Sequence, residues 1–368
     1  MEQTTVHVKP RYYKQLDAMR FFAVWSVMIG HWVSWDSDWF ILKTMHWGNG
    51  VIFFFVLSGF LITEILLNQR EEIKLRERTL WQSLKTFYIR RSLRIFPLYY
   101  LFIFFMFFIN YKNTRDIFPW LATYTTNILQ ASDNRFIGEY NHVWTLGIEE
   151  QFYLFWPLCI FLIKEKHLFK FIVASIVFSL ISRYYYFSSD PGRWMAASYL
   201  LHNVMFSLSF GALLAWAKHN KKYWFYRLSN STSATLYMFI LYLISFFCFV
   251  FPKKLPLFDF VFDDLMFTLL SATIIARCVS KTGYTSVGKW ILENKLLVHL
   301  GKISYGLYLY HLIAPSALYE YIIPRINIYN ERKETAWVMF FFFTWGLTEV
   351  TYWLVEKPVR KLRKYVKY

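Results

Sequence analysis

Residues 16–35 read LDAMRFFAVWSVMIGHWVSW. A helix needs ~20 mostly apolar residues to cross a bilayer, and this stretch has the length. It also carries Asp17, Arg20 and His31. A charged side chain at mid-helix costs roughly 2.5–3.5 kcal/mol on an insertion scale. Inside a membrane such groups face a bundle interior or a water-filled cavity, and they mark function. Arg20 and His31 are eleven residues apart, and eleven steps of ~100° end about 20° from the start, so they share a face and lie roughly 16 Å apart along the axis. Asp17 sits on that face, one turn below Arg20. The rest of the chain has to accommodate a polar stripe inside an apolar helix.

The composition sets the class. Of 368 residues, 56% are apolar and 22% aromatic, with only 18% charged, too apolar for a soluble enzyme of this size. The apolar runs predict an all-α polytopic membrane protein, with about ten transmembrane helices in one bundle. The spans fall near 16–35, 50–67, 95–110, 144–163, 168–187, 198–217, 233–251, 258–277, 296–320 and 336–355. Residues 1–368 form one integral-membrane domain with short tails, 1–15 and 356–368. The N-terminus lacks the short apolar core and small-residue cleavage site of a signal peptide. Cys159, Cys248 and Cys278 lie far apart in apolar surroundings and form neither a metal spacing nor a disulfide framework. The net charge of +17 is explained by topology. With both ends cytoplasmic, most Lys and Arg fall in cytoplasmic segments, so nucleic acid is not the expected partner.

Several further stretches carry chemistry. Residues 50–63, GVIFFFVLSGFLIT, place Gly50, Ser58 and Gly59 where another helix or an acyl chain can approach the backbone. Residues 88–100, YIRRSLRIFPLYY, run Arg90, Arg91 and Arg94 into the start of the third span. Arg91 and Arg94 are an i,i+3 pair, and their guanidinium forks suit the phosphates of an anionic cofactor. Interfacial anchoring by long basic side chains is the plainer alternative. The outer segment 111–143 has an apolar stretch that reads as re-entrant or interfacial. Residues 141–157, NHVWTLGIEEQFYLFWP, set Glu149 and Glu150 side by side in an apolar run, where a polar cavity explains them best. His202, Asp263 and Asp264 have no readable partner and read as structural. Residues 301–311, GKISYGLYLYH, put Ser304, Tyr308 and His311 at i, i+4, i+7 on one face. The closing VEKPVRKLRKY reads as a basic helix lying on anionic lipid headgroups.

Taken in order, these strings resemble the acyltransferase 3 family of membrane acyltransferases. The resemblance covers nearly the whole chain: the Arg-x10-His spacing in the first span, GVIFFFVLSGFLIT, RRSLRIFPLYY, HVWTLGIEEQFYLFWP, ISYGLYLYH and VEKPVRK. It implies transfer of an acyl group, usually acetyl from acetyl-CoA and without a metal, to an extracytoplasmic or lipid-linked acceptor. That acceptor is commonly a sugar hydroxyl of an O-antigen, lipopolysaccharide, capsule or exopolysaccharide. It also implies a multi-pass protein of the bacterial inner membrane. Some relatives carry an appended esterase-like domain; since this chain stops after its last span, that relay would need a separate protein, or the membrane domain acts alone. Carried over by position, the essential histidine is His31 and its partner arginine Arg20. The paired arginines are Arg91 and Arg94 with Arg90 beside them, and the glutamate is Glu149 with Glu150 beside it. Ser304, Tyr305 and His311 fall in the ninth-span pattern.

The chemistry that follows has His31 as general base on the acceptor hydroxyl. Glu149 would orient the imidazole, and Arg20 would stabilise the oxyanion or the cofactor. An acyl-enzyme on His31 is the rival. A proton-coupled transporter would also place charged residues in the membrane, but no repeated halves are visible. An acyltransferase acting on a non-glycan acceptor is the other alternative.

Overall fold

The computed structural model describes residues 12–33, 47–247, 259–326, 333–362 and 365–366, and among them there are helices and turns but no strand. The elements that build the site are α1 (Lys14–Trp32), α2 (Gly50–Lys74), α3 (Leu80–Ile109), α4 (Trp144–Leu162), α5 (Glu165–Ser189), α6 (Leu201–His219), α7 (Asp264–Cys278), α8 (Lys295–Lys302), α9 (Ser304–Tyr310), α10 (Ile313–Tyr321) and α11 (Lys333–Thr351). Cys248 and residues 34–46, between the first two expected spans, lie outside the described residues.

By length and composition, four helices among the described residues can cross a membrane: Trp47–Lys74, Leu80–Ile109, Glu165–Ser189 and Glu334–Leu362. A fifth is added if Pro191–Tyr199 and Leu201–His219, bent by 46° at their junction, count as one span. This is fewer than the ten expected, and the reason is chemical. Two of the missing helices, α1 and α4, hold the polar residues that the sequence singles out, and these lower their hydropathy. The apolar side chains turned outward, among them Phe105, Phe108, Phe178, Ile181, Phe342 and Leu354, make a surface that suits lipid rather than water. This is a membrane protein.

Glycines bring the inner helices together. A Cβ on Gly59 of α2 would run into the backbone of Leu208 on α6, and one on Gly211 of α6 would run into the backbone of Val56 and Phe60 on α2. The two helices therefore cross backbone to backbone, as small residues permit. Gly50 meets Ala23 of α1 in the same way. The small-residue reading of the second span thus resolves in favour of helix packing at Gly50 and Gly59.

Two expectations about helix limits are corrected. The third span begins not near 95 but at Leu80, where Thr79 and Gln82 form a capping box, satisfying two N-terminal amides reciprocally. Arg90, Arg91 and Arg94 consequently lie inside a 30-residue helix rather than at its start. The ninth span is not continuous: Ile303 ends α8 and His311 ends α9, so it is three short helices, α8, α9 and α10. Hydropathy hides these breaks because the residues on either side are equally apolar. Segment 111–143 folds as two short helices, Thr114–Ala122 and Thr126–Asp133. They are pinned by stacking of Tyr124 on Tyr99 at 4.3 Å and by a reciprocal amide pair between Asn127 and Gln151.

Candidate active site

Two adjoining cavities occupy the bundle. One, of about 90 Å³, is lined by Arg20, Arg91, Arg94, Glu149, Glu150, Ser304 and Tyr305, together with Ser58 and Tyr153. The other, of about 270 Å³, is lined by His31, His142, Asn49, Trp144, Tyr199, Arg183 and Asp264. Val51, Phe55 and Tyr308 line both and form the partition between them. The polar face of α1 serves each cavity in turn, Arg20 the first and His31 the second, so the helical periodicity read from the sequence holds.

In the arginine cavity, Arg20 is ion-paired with Asp17, whose other carboxylate oxygen accepts from the Tyr12 hydroxyl at 2.7 Å. Asp17 therefore orients Arg20 and does not itself line the cavity. Glu149 accepts from the Ser58 hydroxyl at 2.6 Å, and the Tyr153 hydroxyl lies 3.1 Å from its second oxygen. The Arg91 guanidinium stands 5.4 Å from the Tyr153 ring centroid and 5.8 Å from that of Phe87, which fixes its plane by cation–π contact. Arg90, one residue and ~100° further round the helix, donates instead to the carbonyl of Val366. It does not line the cavity with Arg91 and Arg94, and holds the C-terminal segment. The buried Oε1 of Glu150 has no hydrogen-bond partner among the described residues.

In the histidine cavity, His31 Nδ1 lies 3.0 Å from the Val27 carbonyl and 3.2 Å from Nε2 of His311. His311 Nδ1 in turn lies 2.5 Å from the Tyr308 carbonyl. A carbonyl only accepts, so the neutral His311 ring carries its proton on Nδ1 and offers Nε2 as an acceptor. The proton of His31 is then on Nδ1, shared between the Val27 carbonyl and His311. Its Nε2 keeps the lone pair on an imidazole exposed to the cavity. The imidazole of His31 meets His311 and not Glu149, which is engaged with Ser58 and Tyr153 in the other cavity. His142 packs at 4.7 Å, ring centroid to ring centroid, against His311 and places Nε2 3.1 Å from the Leu309 carbonyl. Among the described residues no group of three His, Cys, Asp or Glu side chains is disposed to hold one metal ion.

The residue positions expected from sequence thus divide. Arg20, Arg91, Arg94, Glu149, Glu150, Ser304 and Tyr305 come together in one cavity, and His31 lines the other with the buried His311 packed against it. His142, Arg183 and the pairing of Asp264 escaped the sequence reading. His142 opens the same string as the two glutamates. Arg183 is an arginine deep in the apolar run of α5, and matching it against the intramembrane Asp264 would have found the pair.

Residues 13–356 match the family described as an acyltransferase domain. The chain belongs to that acyltransferase family. Two relatives of this acyltransferase are bacterial. The "Putative peptidoglycan O-acetyltransferase YrhL" of Bacillus subtilis is 28% identical over 95% of this chain and 55% of its own length. The "Peptidoglycan O-acetyltransferase OatA" of Listeria monocytogenes is 29% identical over 98% of this chain and 58% of its own. The acyltransferase chain therefore spans a little over half the length of these curated relatives. No solved structure matches it.

Proposed function

We propose that this acyltransferase moves an acetyl group from acetyl-CoA to a hydroxyl of a cell-wall glycan at the bacterial cytoplasmic membrane. The observation that carries the reading is the pair of adjoining cavities on one helix, one cationic and one holding an exposed imidazole, with a shared wall between them. The arginine cavity, of about 90 Å³, suits the anionic and polar oxygens of the donor, not the whole molecule. Arg91 and Arg94 are one turn apart on α3, Arg91 held by ring contacts, and present forks that match phosphate or polar carbonyl oxygens. The histidine cavity suits the acceptor. There Nε2 of His31 takes the proton of the attacking hydroxyl as the oxygen adds to the thioester carbonyl. Collapse of the tetrahedral intermediate breaks the carbon–sulfur bond, and the imidazolium returns its proton to the departing thiolate. His311 holds the reacting tautomer, the part played by the carboxylate in a hydrolase triad. With the ends of the chain in the cytoplasm, His31 lies on the side of the membrane where a cell-wall acceptor is found.

Among the acceptors that the sequence leaves open, which include peptidoglycan beside O-antigen, lipopolysaccharide, capsule and exopolysaccharide, we favour peptidoglycan, because the names of both relatives specify it. The test incubates membranes bearing the protein with radiolabelled acetyl-CoA and follows label into the peptidoglycan and lipid-linked fractions. Base-labile label in either fraction, absent from membranes lacking the protein, is the expected result. Absence of label from both would remove the reading. The double variant Arg91→Gln, Arg94→Gln is expected to raise KM for acetyl-CoA about 10-fold or more, since hydrogen bonds to charged groups are each worth about 1.5–3 kcal/mol. Steady-state kinetics over a range of donor concentrations checks this.

A further inference from the structure

The ion pair between Arg183 of α5 and Asp264 of α7 lies in the wall of the histidine cavity. A buried ion pair is a poor stabilising device, since desolvation offsets most of its attraction and apolar residues of similar size often serve as well. Within a membrane, such a pair beside a cavity marks a binding path. The two partners are unequally covered: the Arg183 side chain is 4% exposed and that of Asp264 25%. Both side chains line the cavity, and the carboxylate is the more accessible of the two. Asn49 adds a further polar group to the lining, its amide nitrogen donating to the Tyr242 hydroxyl at 3.0 Å and to Asp263 at 3.3 Å. An apolar wall is supplied by Trp144, stacked on Tyr199 at 4.2 Å and 12°.

We propose that the Arg183–Asp264 pair is the acceptor-recognition element of the histidine cavity, binding the hydroxyls of one uncharged sugar ring and rejecting anionic rings. This rests on the transfer reading above and deepens it. A volume of about 270 Å³ is just under the ~300 Å³ at which ligand pockets begin, which suits a single ring rather than a chain of them. Sugar hydroxyls both donate and accept. A paired guanidinium and carboxylate answer both roles while adding no net charge to the wall, and an aromatic side chain packs against the apolar face of a ring. A carboxylate or phosphate on the acceptor would meet the more accessible oxygens of Asp264, with the charge of Arg183 already neutralised by the pair. Asp264 and Arg183 bind and position; they take no part in bond making.

The test uses the whole protein in detergent micelles with labelled acetyl-CoA and two soluble acceptors, a neutral N-acetylhexosamine oligosaccharide and a counterpart carrying uronate carboxylates. The wild type is expected to prefer the neutral acceptor by about 10-fold or more in kcat/KM, the scale of one misplaced charge-assisted contact. Asp264→Asn turns one of the two acceptor oxygens into an NH2 donor and removes the negative charge that balances Arg183. It is expected to raise KM for the neutral acceptor about 10-fold, to narrow the discrimination against uronate, and to leave KM for acetyl-CoA within about twofold. Because an unbalanced pair can also unfold the bundle, the double variant Arg183→Met, Asp264→Met is run beside it. Apolar replacement of both partners is commonly tolerated, and the folded double variant is expected to show the same loss of acceptor affinity. Wild-type acceptor KM in the double variant, or equal use of both acceptors by the wild type, would show the pair to be a helix fastener and overturn the proposal. A wild type that labels neither oligosaccharide would overturn the transfer reading along with it, whereas an active wild type with unaffected variants would overturn this inference alone.

Discussion

His31→Ala is expected to lower kcat for acetyl transfer by about 10²–10⁴-fold, the usual contribution of a positioned general base. KM for acetyl-CoA should change little. The imidazole and the arginines line different cavities, so deleting the ring does not touch the surface proposed for the donor. Folding should also survive, because the ring faces a cavity and the α1 core is carried by Leu16, Ala18, Val24, Val27 and Met28, all fully buried. Single-turnover transfer in membranes, read together with donor KM, separates these outcomes. A variant that keeps wild-type kcat would mean that the hydroxyl is activated elsewhere. One that loses donor affinity as well would mean that the two cavities act as a single site.

The second large effect is on stability. Gly59→Ala should lower the stability of the folded bundle by about 1–3 kcal/mol or more, the range for forcing extra volume into a packed core. The new methyl would meet the Leu208 backbone, which has no rotamer to retreat into. The matched control is Gly346→Ala in α11, where a Cβ has nothing within 4 Å. Replacing glycine by alanine in an unhindered helix interior stabilises by about 0.5–1 kcal/mol. The same substitution should therefore lower the melting temperature at one position and leave it unchanged or raised at the other. Thermal unfolding of the two variants in detergent checks the sign of each, and equal stability at both would mean that α2 and α6 do not cross backbone to backbone.

The legibility of this molecule follows physical range. Arg20 and His31 could be placed on one face because helical periodicity is local and the helix between them is unbroken. Arg91 and Arg94 could be paired for the same reason, and the same rule separates Arg90 from them once the helix is known to extend back to Leu80. Contacts across the bundle could not be read this way. Glu149 was matched to His31 by analogy with hydrolase triads, yet it lies with Ser58 and Tyr153, while His31 meets a histidine 280 positions away in the chain. Arg183 and Asp264 are 81 positions apart, and neither carries a local pattern that names the other. The lipid-facing helices qualify as spans by length and composition alone, whereas the interior helices α1 and α4 carry polar residues that lower their hydropathy.

The break that ends α9 at His311 has one more consequence. The last four carbonyls of any helix find no amide partner within it. At this end, the Tyr308 carbonyl receives His311, the Leu309 carbonyl receives His142, and the carbonyl of His311 itself receives the indole of Trp32 at 2.7 Å. An unbroken helix would have given those oxygens to its own next turn. By stopping there, the chain sets the proton positions in its imidazoles with main-chain atoms, which carry no net charge and cannot be altered by replacing a side chain. The proton positions of His311 and His31 are therefore written into the path of the backbone, and as long as both imidazoles are present they persist through changes of other side chains that leave the break in place.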